Sequence, residues 1–183
     1  MKELSLNILD IAENSLKAGA TLTEIEIKDT GTELNISIKD NGCGMSEEML
    51  RSVTDPFCTT RTTRKVGLGI PLFKMAAELT GGYLKLASRE RSKHPTDHGT
   101  EITAHFKKDH LDFTPLGDVT SSIVTLIQGH PDSDFLFTHT GDGLNVKLDT
   151  REMREVLDDI PLDSFEILTW ISENLKEQYK ENK

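Results

Sequence analysis

The architecture of this chain is set by the segment ELNISIKDNGCG, residues 33–44. Leu34, Ile36 and Ile38 alternate with polar residues, which is the period-two pattern of a half-buried β-strand. The strand ends at Asp40, whose carboxylate can accept a hydrogen bond from an exocyclic amine such as N6 of adenine. The two glycines that follow let the backbone approach a flat ligand closely. Asn-Gly after a strand is also a strong signal for a hairpin turn, so a binding loop and a plain turn both stay open here.

Length and composition indicate a globular protein with one large domain, or one standard domain and a smaller one. The 183 residues are 36% hydrophobic and 28% charged, which argues against general disorder. No apolar run approaches the roughly 18 residues that span a bilayer, so no membrane partner is expected. The first residues do not resemble a signal peptide. Cys43 and Cys58 form no disulfide framework, so a cytoplasmic location is expected.

The net charge of −10 is concentrated in the second part of the chain. Residues 1–109 carry 15 Lys or Arg against 16 Asp or Glu, whereas residues 110–183 carry 6 against 15. This asymmetry predicts two modules. It also argues against nucleic acid as the main partner, because an acidic surface repels phosphate.

Residues 3–18 are predicted to form a helix with a core-facing stripe that includes Leu4, Ile8 and Ile11. A second face, about 80° wide, groups two amides, one acid and one base at helical spacing. An amide oxygen is a suitable ligand for Mg²⁺, and a lysine one turn away can meet phosphate charge. An ordinary solvated face is the alternative interpretation. The members of this second face are Asn7, Asp10, Asn14 and Lys17.

The segment from Asp55 to Val66 is polar and hydroxyl-rich, and it predicts a mobile loop that carries Arg61, Arg64 and Lys65. Directly afterwards, residues 67–69 read Gly-Leu-Gly and lead into a predicted helix over 70–80. Glycines that open a helix present N–H groups and the positive end of the helix dipole to an anion. A phosphate site and an ordinary helix start both fit this pattern. The buried stripe of this helix is predicted to be Leu72, Met75, Ala76 and Leu79.

The order of predicted elements indicates two domains. Residues 1–109 read as helix, two strands, short helix, loop, helix and two strands, which is an α/β two-layer sandwich with a mixed sheet. Residues 110–183 restart with a helix near 116–126, a hairpin at 141–143 and two further helices with capping-box-like starts. This second part is predicted to be a small acidic α+β domain without a catalytic constellation.

Taken together, these segments resemble the ATP-binding domain of the GHKL superfamily, which includes gyrase-type topoisomerases, large heat-shock chaperones, histidine kinases and MutL proteins. Four motifs match in order over about residues 3–107. They are the N-box at 7–18, the first glycine box at 40–45, a segment similar to the F-box at 55–57 and the second glycine box at 67–69. The resemblance implies the Bergerat-type fold of this superfamily, with ATP and Mg²⁺ as cofactors.

The same resemblance implies roles for individual residues. Asn14 matches the Mg²⁺ position, Asp40 the adenine-binding position, Met45 a position beside the base, and Thr100 the threonine near the adenine aspartate. Gly42 and Gly44 belong to the first glycine box. The phosphates are expected to meet Lys17, Lys65, Gly67, Leu68 and Gly69.

Asp10 departs from the pattern of ATP-hydrolysing members, which carry a Glu one turn before the N-box Asn to activate water. An aspartate can act as a general base, but its side chain is one methylene shorter. Residues 13–21 resemble MutL proteins. Residues 67–70 and the short lid, which is the part of the predicted loop from Phe57 to Val66, resemble histidine kinases. We give the lid more weight because its length shapes the phosphate pocket. The chain starts at the N-box helix, which leaves no room for helices bearing a phosphoacceptor histidine. Self-phosphorylation is therefore not expected, and all six histidines are interpreted as structural.

Three functions stay open at this point. The first is a slow ATPase in which Asp10 is the base and the nucleotide state regulates a protein partner. The second is a protein kinase acting in trans, like the serine kinases that regulate sigma factors. The third is an ATP sensor without turnover. A protein partner is expected to dock on the C-terminal domain or on the lid, and a homo-oligomer is compatible with the sequence.

Overall fold

The computed structural model describes residues 3–53 and 68–181. Alternating residues form the strands, and apolar stripes at helical spacing form the helices, as the sequence pattern predicts. The helices are α1 (Leu4–Lys17), α2 (Glu47–Ser52), α3 (Gly69–Leu79), α4 (Val119–Gly129), α5 (Thr150–Leu157) and α6 (Phe165–Glu181). The strands are β1 (Leu22–Asp29), β2 (Glu33–Asp40), β3 (Tyr83–Arg89), β4 (Gly99–Lys107), β5 (Asp134–Gly141) and β6 (Asn145–Asp149).

Within the described ranges these strands form one sheet in the order β3-β4-β2-β1-β5-β6. All neighbouring pairs are antiparallel except β1 and β5, which run parallel, so the sheet is mixed. The register aligns apolar side chains across the centre of the sheet: Ile38 lies opposite Ile25 and Ile102, and Ile25 lies opposite Phe137. These rows form one apolar face, because every second residue of a strand points to the same side.

Helices cover that apolar face. Contacts join α3 to α1, α1 to α4, and α4 to α6, so the helix layer follows the order of the strands beneath it. The buried apolar side chains of the helices and the sheet form one hydrophobic cluster. The predicted α/β two-layer sandwich with a mixed sheet is confirmed.

The part of the chain after residue 109, which the sequence predicts as a separate small domain, continues the sheet and the helix layer of the first part. The predicted helix, hairpin and two helices are present, but β5 extends the same sheet through β1 and α4 packs on α1. Phe135 and Phe137 of β5 belong to the same buried cluster as Ile25 and Ile27 of β1. An amphipathic strand and helix bury more apolar surface against an open sheet edge than in a core of their own, and this favours the shared arrangement.

The predicted buried stripe of α3 is wrong in part. Ile70, Phe73 and Ala77 are buried, whereas Met75 and Leu79 are half exposed. Phe73 packs against Phe106 of β4, with ring centroids 5.6 Å apart. Burial of the large aromatic ring sets the rotation of this helix on the sheet.

The free edge of β6 is closed by a side chain. The backbone N–H of Lys147 donates to Oε1 of Gln178 at 2.9 Å, and Nε2 of Gln178 donates to the Lys147 carbonyl at 3.1 Å. Gln178 belongs to α6, which thereby covers the edge. None of the helices in the described ranges is long and apolar enough to cross a membrane.

Candidate functional site

The candidate site centres on the carboxylate of Asp40, which is the last residue of β2. Its Oδ1 accepts hydrogen bonds from the backbone N–H groups of Gly42 (2.8 Å) and Thr100 (3.2 Å). Its Oδ2 accepts a hydrogen bond from the hydroxyl of Ser15 at 2.8 Å. Asp40 is 9% exposed. Three donors from α1, β4 and the loop after β2 therefore fix the direction of one nearly buried carboxylate.

An ionised carboxylate offers about four acceptor sites, two on each oxygen. Asp40 uses both sites of Oδ1 and one site of Oδ2. Among residues 3–53 and 68–181, nothing fills the second acceptor site of Oδ2, which can therefore accept from a ligand. An exocyclic amine has the chemistry to fill it.

The loop after β2 is not a hairpin, because β2 pairs with β1 and β4 and the chain continues into α2. Asn41 fixes the start of this loop: its Oδ1 accepts from the N–H groups of Thr21 (2.9 Å) and Leu22 (3.0 Å). The N–H of Cys43 then donates to the carbonyl of Ala18 at 2.9 Å, which places the loop on the end of α1. The plain-turn alternative for this segment is therefore wrong.

Two glycines of this loop allow close backbone contacts. Gly44 has φ = +67°, and a β-carbon there would collide with the carbonyl of Arg89. A β-carbon on Gly42 would lie 3.0 Å from both the Ala18 carbonyl and Oδ1 of Asp40. A side chain at Gly44 would push the loop away from the end of β3, and one at Gly42 would crowd the end of α1 and the Asp40 carboxylate.

Thr100 and Met45 are joined to this site through Ser88 of β3. The N–H of Met45 donates to the Ser88 hydroxyl at 2.8 Å, and the hydroxyls of Ser88 and Thr100 are hydrogen-bonded at 2.9 Å. Ser88 also donates to the Gly99 carbonyl at 3.0 Å. Met45 packs as a partly buried side chain against the core. The structure thus brings Asp40, Met45 and Thr100 together.

The polar face of α1 meets the start of α3. A β-carbon placed on Gly69 would lie 3.5 Å from Oδ2 of Asp10 and 3.8 Å from Nδ2 of Asn14. Gly69 and Ile70 are the first two residues of α3, where N–H groups have no partner within the helix, and Pro71 after them has no N–H. Leu68, the N-cap residue, is exposed. An acid, an amide and helix-terminal N–H groups therefore adjoin one another at this point.

The two ends of the α1 polar face behave differently. Asn7 is buried, so it is not an open member of the face. Lys17 is exposed and lies 4.0 Å from the carboxylate of Glu13, a loose surface pair that leaves the ammonium group in solvent. Lys65, Gly67 and the F-box-like segment at 55–57 lie outside the described residues, and so does the predicted lid.

Sequence reasoning missed three side chains that build the site. They are Ser15 and Ser88, described above, and His98, whose Nδ1–H donates to the carbonyl of Gly42 at 2.6 Å. Ser15 adjoins the metal-position residue Asn14, and His98 adjoins Gly99-Thr100. Nearness to motif residues was the available signal for Ser15 and His98, but a serine or histidine in a polar segment has no distinctive pattern of its own.

The architecture is a class of α/β sandwich with a mixed sheet and a nearly buried acid at the end of a central strand, and comparisons with known proteins identify the family. The family described as histidine kinase-, DNA gyrase B-, and HSP90-like ATPase matches residues 2–110. Because this match covers more than half of the chain, the protein belongs to that family. The predicted GHKL resemblance is confirmed.

Individual relatives come from both of the branches that the motifs resemble. Human mismatch repair endonuclease PMS2 is 45% identical over 51 residues, which is 28% of this chain and 6% of PMS2. Sporulation kinase C of Bacillus subtilis is 31% identical over 88 residues, which is 48% of this chain and 20% of the kinase. The chain therefore spans at most a fifth of the length of these two relatives, and the preference for the kinase branch stays a prediction.

Solved structures confirm the fold. The Aquifex aeolicus MutL ATPase domain, solved in complex with ADP, superposes with a TM-score of 0.56 and 20% identity, and the match covers 86% of this chain and 69% of the MutL domain. Residues 1–110 make up about three fifths of the chain, so the likeness extends into the C-terminal part. That agrees with the single continuous sheet.

Proposed function

We propose that this chain binds Mg-ATP, with the adenine at Asp40 and the phosphates between α1 and the start of α3. The observation that carries the proposal is the Asp40 carboxylate, which is held by Ser15, Gly42 and Thr100 and keeps one acceptor site without a partner in the described part of the chain. This arrangement selects a ligand that presents an N–H donor. The ADP in the related MutL structure supports a nucleotide as that ligand.

The residues around Gly69 fit the triphosphate end. In this proposal Asn14 is the protein ligand to Mg²⁺, and the N–H groups of Gly69 and Ile70 donate to phosphate oxygens. These two assignments rest on position, because a β-carbon on Gly69 would lie 3.8 Å from the amide nitrogen of Asn14. An amide ligand suits Mg²⁺, which keeps most of its waters and takes phosphate oxygens as further ligands. Lys17 adds positive charge from the next turn of α1, and Lys65 and Gly67 remain predicted phosphate contacts.

Asp10 is the proposed general base of a slow ATPase. Its carboxylate is exposed and lies beside Gly69, at the end of the site assigned to the phosphates. Phosphoryl transfer needs mainly positioning and charge neutralisation, and a carboxylate can orient the attacking water. Transfer to a hydroxyl of a partner protein by the same residue, or ATP sensing without turnover, are the two alternatives. A cytoplasmic location and a partner that responds to the nucleotide state belong to the same proposal.

The placement of adenine at Asp40 is tested with a nucleotide whose base carries an acceptor in place of the amine donor. Inosine triphosphate carries a carbonyl oxygen where ATP carries the amine, and Asp40→Asn supplies an N–H that can donate to that oxygen. We expect the wild type to prefer ATP. In Asp40→Asn, ATP affinity should fall by about tenfold or more, while inosine triphosphate binds as well as ATP or better.

The measurement is calorimetric titration with each nucleotide and Mg²⁺, with Asp132→Asn as the control because Asp132 is an exposed acid with no ion pair among the described residues. Circular dichroism shows whether the variants are folded. A folded Asp40→Asn protein with an unchanged ratio of the two affinities would overturn the placement of adenine at Asp40.

A further inference from the structure

A surface on the C-terminal part of the chain has the features of a docking site. Three large apolar side chains are exposed between the end of α5 and the start of α6: Val156 (84% exposed), Ile160 (53%) and Phe165 (80%). Single exposed apolar residues are common, but three within ten residues form a patch that water solvates poorly. We name residues 155–166 the α5–α6 patch.

Two consecutive turns keep this patch compact. The N–H of Ile160 donates to the Leu157 carbonyl at 3.1 Å, and the N–H of Ser164 donates to the Pro161 carbonyl at 3.1 Å. Leu162, between the turns, is fully buried and anchors the segment to the core. The exposed apolar residues therefore belong to a fixed surface.

A groove continues the patch between α4 and α6. Its volume is about 340 Å³, and it is lined by residues that include Val124, Phe165, Leu168 and Thr169. Phe165 belongs to both the patch and the groove. A groove between two helices with apolar side chains at its mouth fits the apolar face of a further helix.

The charge of the patch selects the partner. Five exposed carboxylates alternate with the apolar residues, and none makes an ion pair within the described part of the chain: Glu155, Asp158, Asp159, Asp163 and Glu166. In α5, Arg151 pairs with Asp149 and Arg154 pairs with Asp134. The groove adds one acid and one base, Glu173 and Lys176, so the five carboxylates of the patch set the net charge of the surface. A partner must therefore bring positive charge around its apolar contacts.

From this geometry we propose that the α5–α6 patch and the adjoining groove bind an amphipathic helix of a partner protein whose apolar face is flanked by lysine or arginine. A second copy of this chain is a poor occupant, because a symmetric contact would place ten carboxylates against one another. The surface is separate from Asp40 and Asp10, so the proposal does not depend on the bound nucleotide.

The test uses a fluorescein-labelled 14-residue peptide of leucine and lysine at helical spacing. One control peptide has the same composition with strict alternation, and another has glutamate in place of lysine. Fluorescence anisotropy at about 0.1 M salt, where exposed charges interact over about 10 Å, gives the affinities for the full chain. We expect the helical lysine peptide to bind at least about tenfold more tightly than either control peptide.

Matched variants locate the binding surface. Val156→Ala/Ile160→Ala/Phe165→Ala and Asp158→Asn/Asp159→Asn/Asp163→Asn should each weaken binding by about tenfold or more. Leu111→Ala and Asp109→Asn/Asp132→Asn/Glu177→Gln alter equally exposed residues elsewhere and should change the affinity less than twofold. All of these side chains are exposed, so the thermal midpoints should match that of the wild type.

The proposal is overturned if the patch variants bind the peptide like the wild type, or if the control variants lose as much affinity. Equal binding of the alternating or glutamate peptide overturns it as well. Sedimentation of the protein alone supplies a further test: a dimer that is lost in the apolar triple variant would assign the surface to a second copy and exclude the proposed partner.

Discussion

At Asp40 a single carboxylate is fixed by three donors from three different elements, and this precision is greater than a strand end needs for stability alone. A surface aspartate after a strand would be satisfied by solvent, and a nearly buried one must be hydrogen-bonded. Ser15, Gly42 and Thr100 satisfy it, and the described residues leave one acceptor site of Oδ2 without a partner. The residue is therefore oriented by the chain before any ligand arrives, which lowers the cost of binding.

Asp10 carries the prediction that distinguishes turnover from binding. Asp10→Asn should reduce release of labelled phosphate from γ-labelled ATP by about 100-fold or more, because positioned general bases contribute that much to rate. Affinity for Mg-ATP should change by less than about threefold. Glu13→Gln, an acid on the same helix that instead faces Lys17 and His130, is the control.

Wild-type and variant rates that are the same would remove Asp10 from the catalytic role. Label that accumulates on a partner protein, with little free phosphate, would favour the trans-acting kinase. Tight binding with neither product would favour the sensor.

At the level of single elements, α6 is attached to the sheet by a buried polar contact. Nδ1 of His139 on β5 and the hydroxyl of Tyr179 on α6 are hydrogen-bonded at 2.8 Å. Burial lowers the pKa of His139 below its usual 6.5, an effect that Asp29 opposes and Lys108 reinforces. Burial also raises the pKa of Tyr179, so its phenol stays protonated.

Stability should therefore fall as the pH decreases from 7.5 to 5. In the unfolded chain His139 takes up a proton near pH 6.5, whereas the folded state resists it, so acid favours unfolding. The pKa values of Asp118 and Asp149 are also lowered, but from 3.8, so those groups act below this window. Urea unfolding at both pH values measures the effect. His139→Gln should show a smaller loss of unfolding free energy, and an equal loss would contradict the assignment.

The sequence predicted the helices and strands well. It did not predict which face of a helix is buried, or which residues distant in the chain form hydrogen bonds. Alternation located β1 and β2, whereas α3 is apolar nearly all round, so its periodicity could not show that Phe73 points inward and Met75 outward. The position of Asp40 followed from its motif. Its partner Ser15 could not be predicted, because the contact joins residues 25 positions apart across two elements.

At the scale of the whole molecule, the hydrophobic core is complete only when the N-terminal and C-terminal parts are in contact. β1 lies between β2 and β5, and α1 lies between α3 and α4, so both elements are central only when residues 119–141 are present. The boundary predicted at residue 109 would leave β1 as an open edge and uncover one side of α1. The acidic C-terminal part completes the core and also carries the α5–α6 patch.

A shortened chain of residues 1–109 should therefore lack a cooperative thermal transition. Removal of β5 and α4 exposes Ile25, Ile27 and part of the α1 stripe, at a cost on the order of the whole stability of a domain, about 5–15 kcal/mol. Circular dichroism and calorimetry of the shortened and full chains make the comparison. A sharp transition in the shortened chain, close to that of the full protein, would support the two-domain interpretation.

The parallel pairing of β1 with β5 also governs how the protein is made. Leu22 pairs with Asp134, 112 positions later in the chain. At about 5–20 residues per second, a ribosome needs roughly 6–22 s to travel from the first strand to its partner. During that interval the nascent chain displays an unpaired strand edge beside exposed isoleucines, so the sheet cannot be completed before Asp134 has left the ribosome.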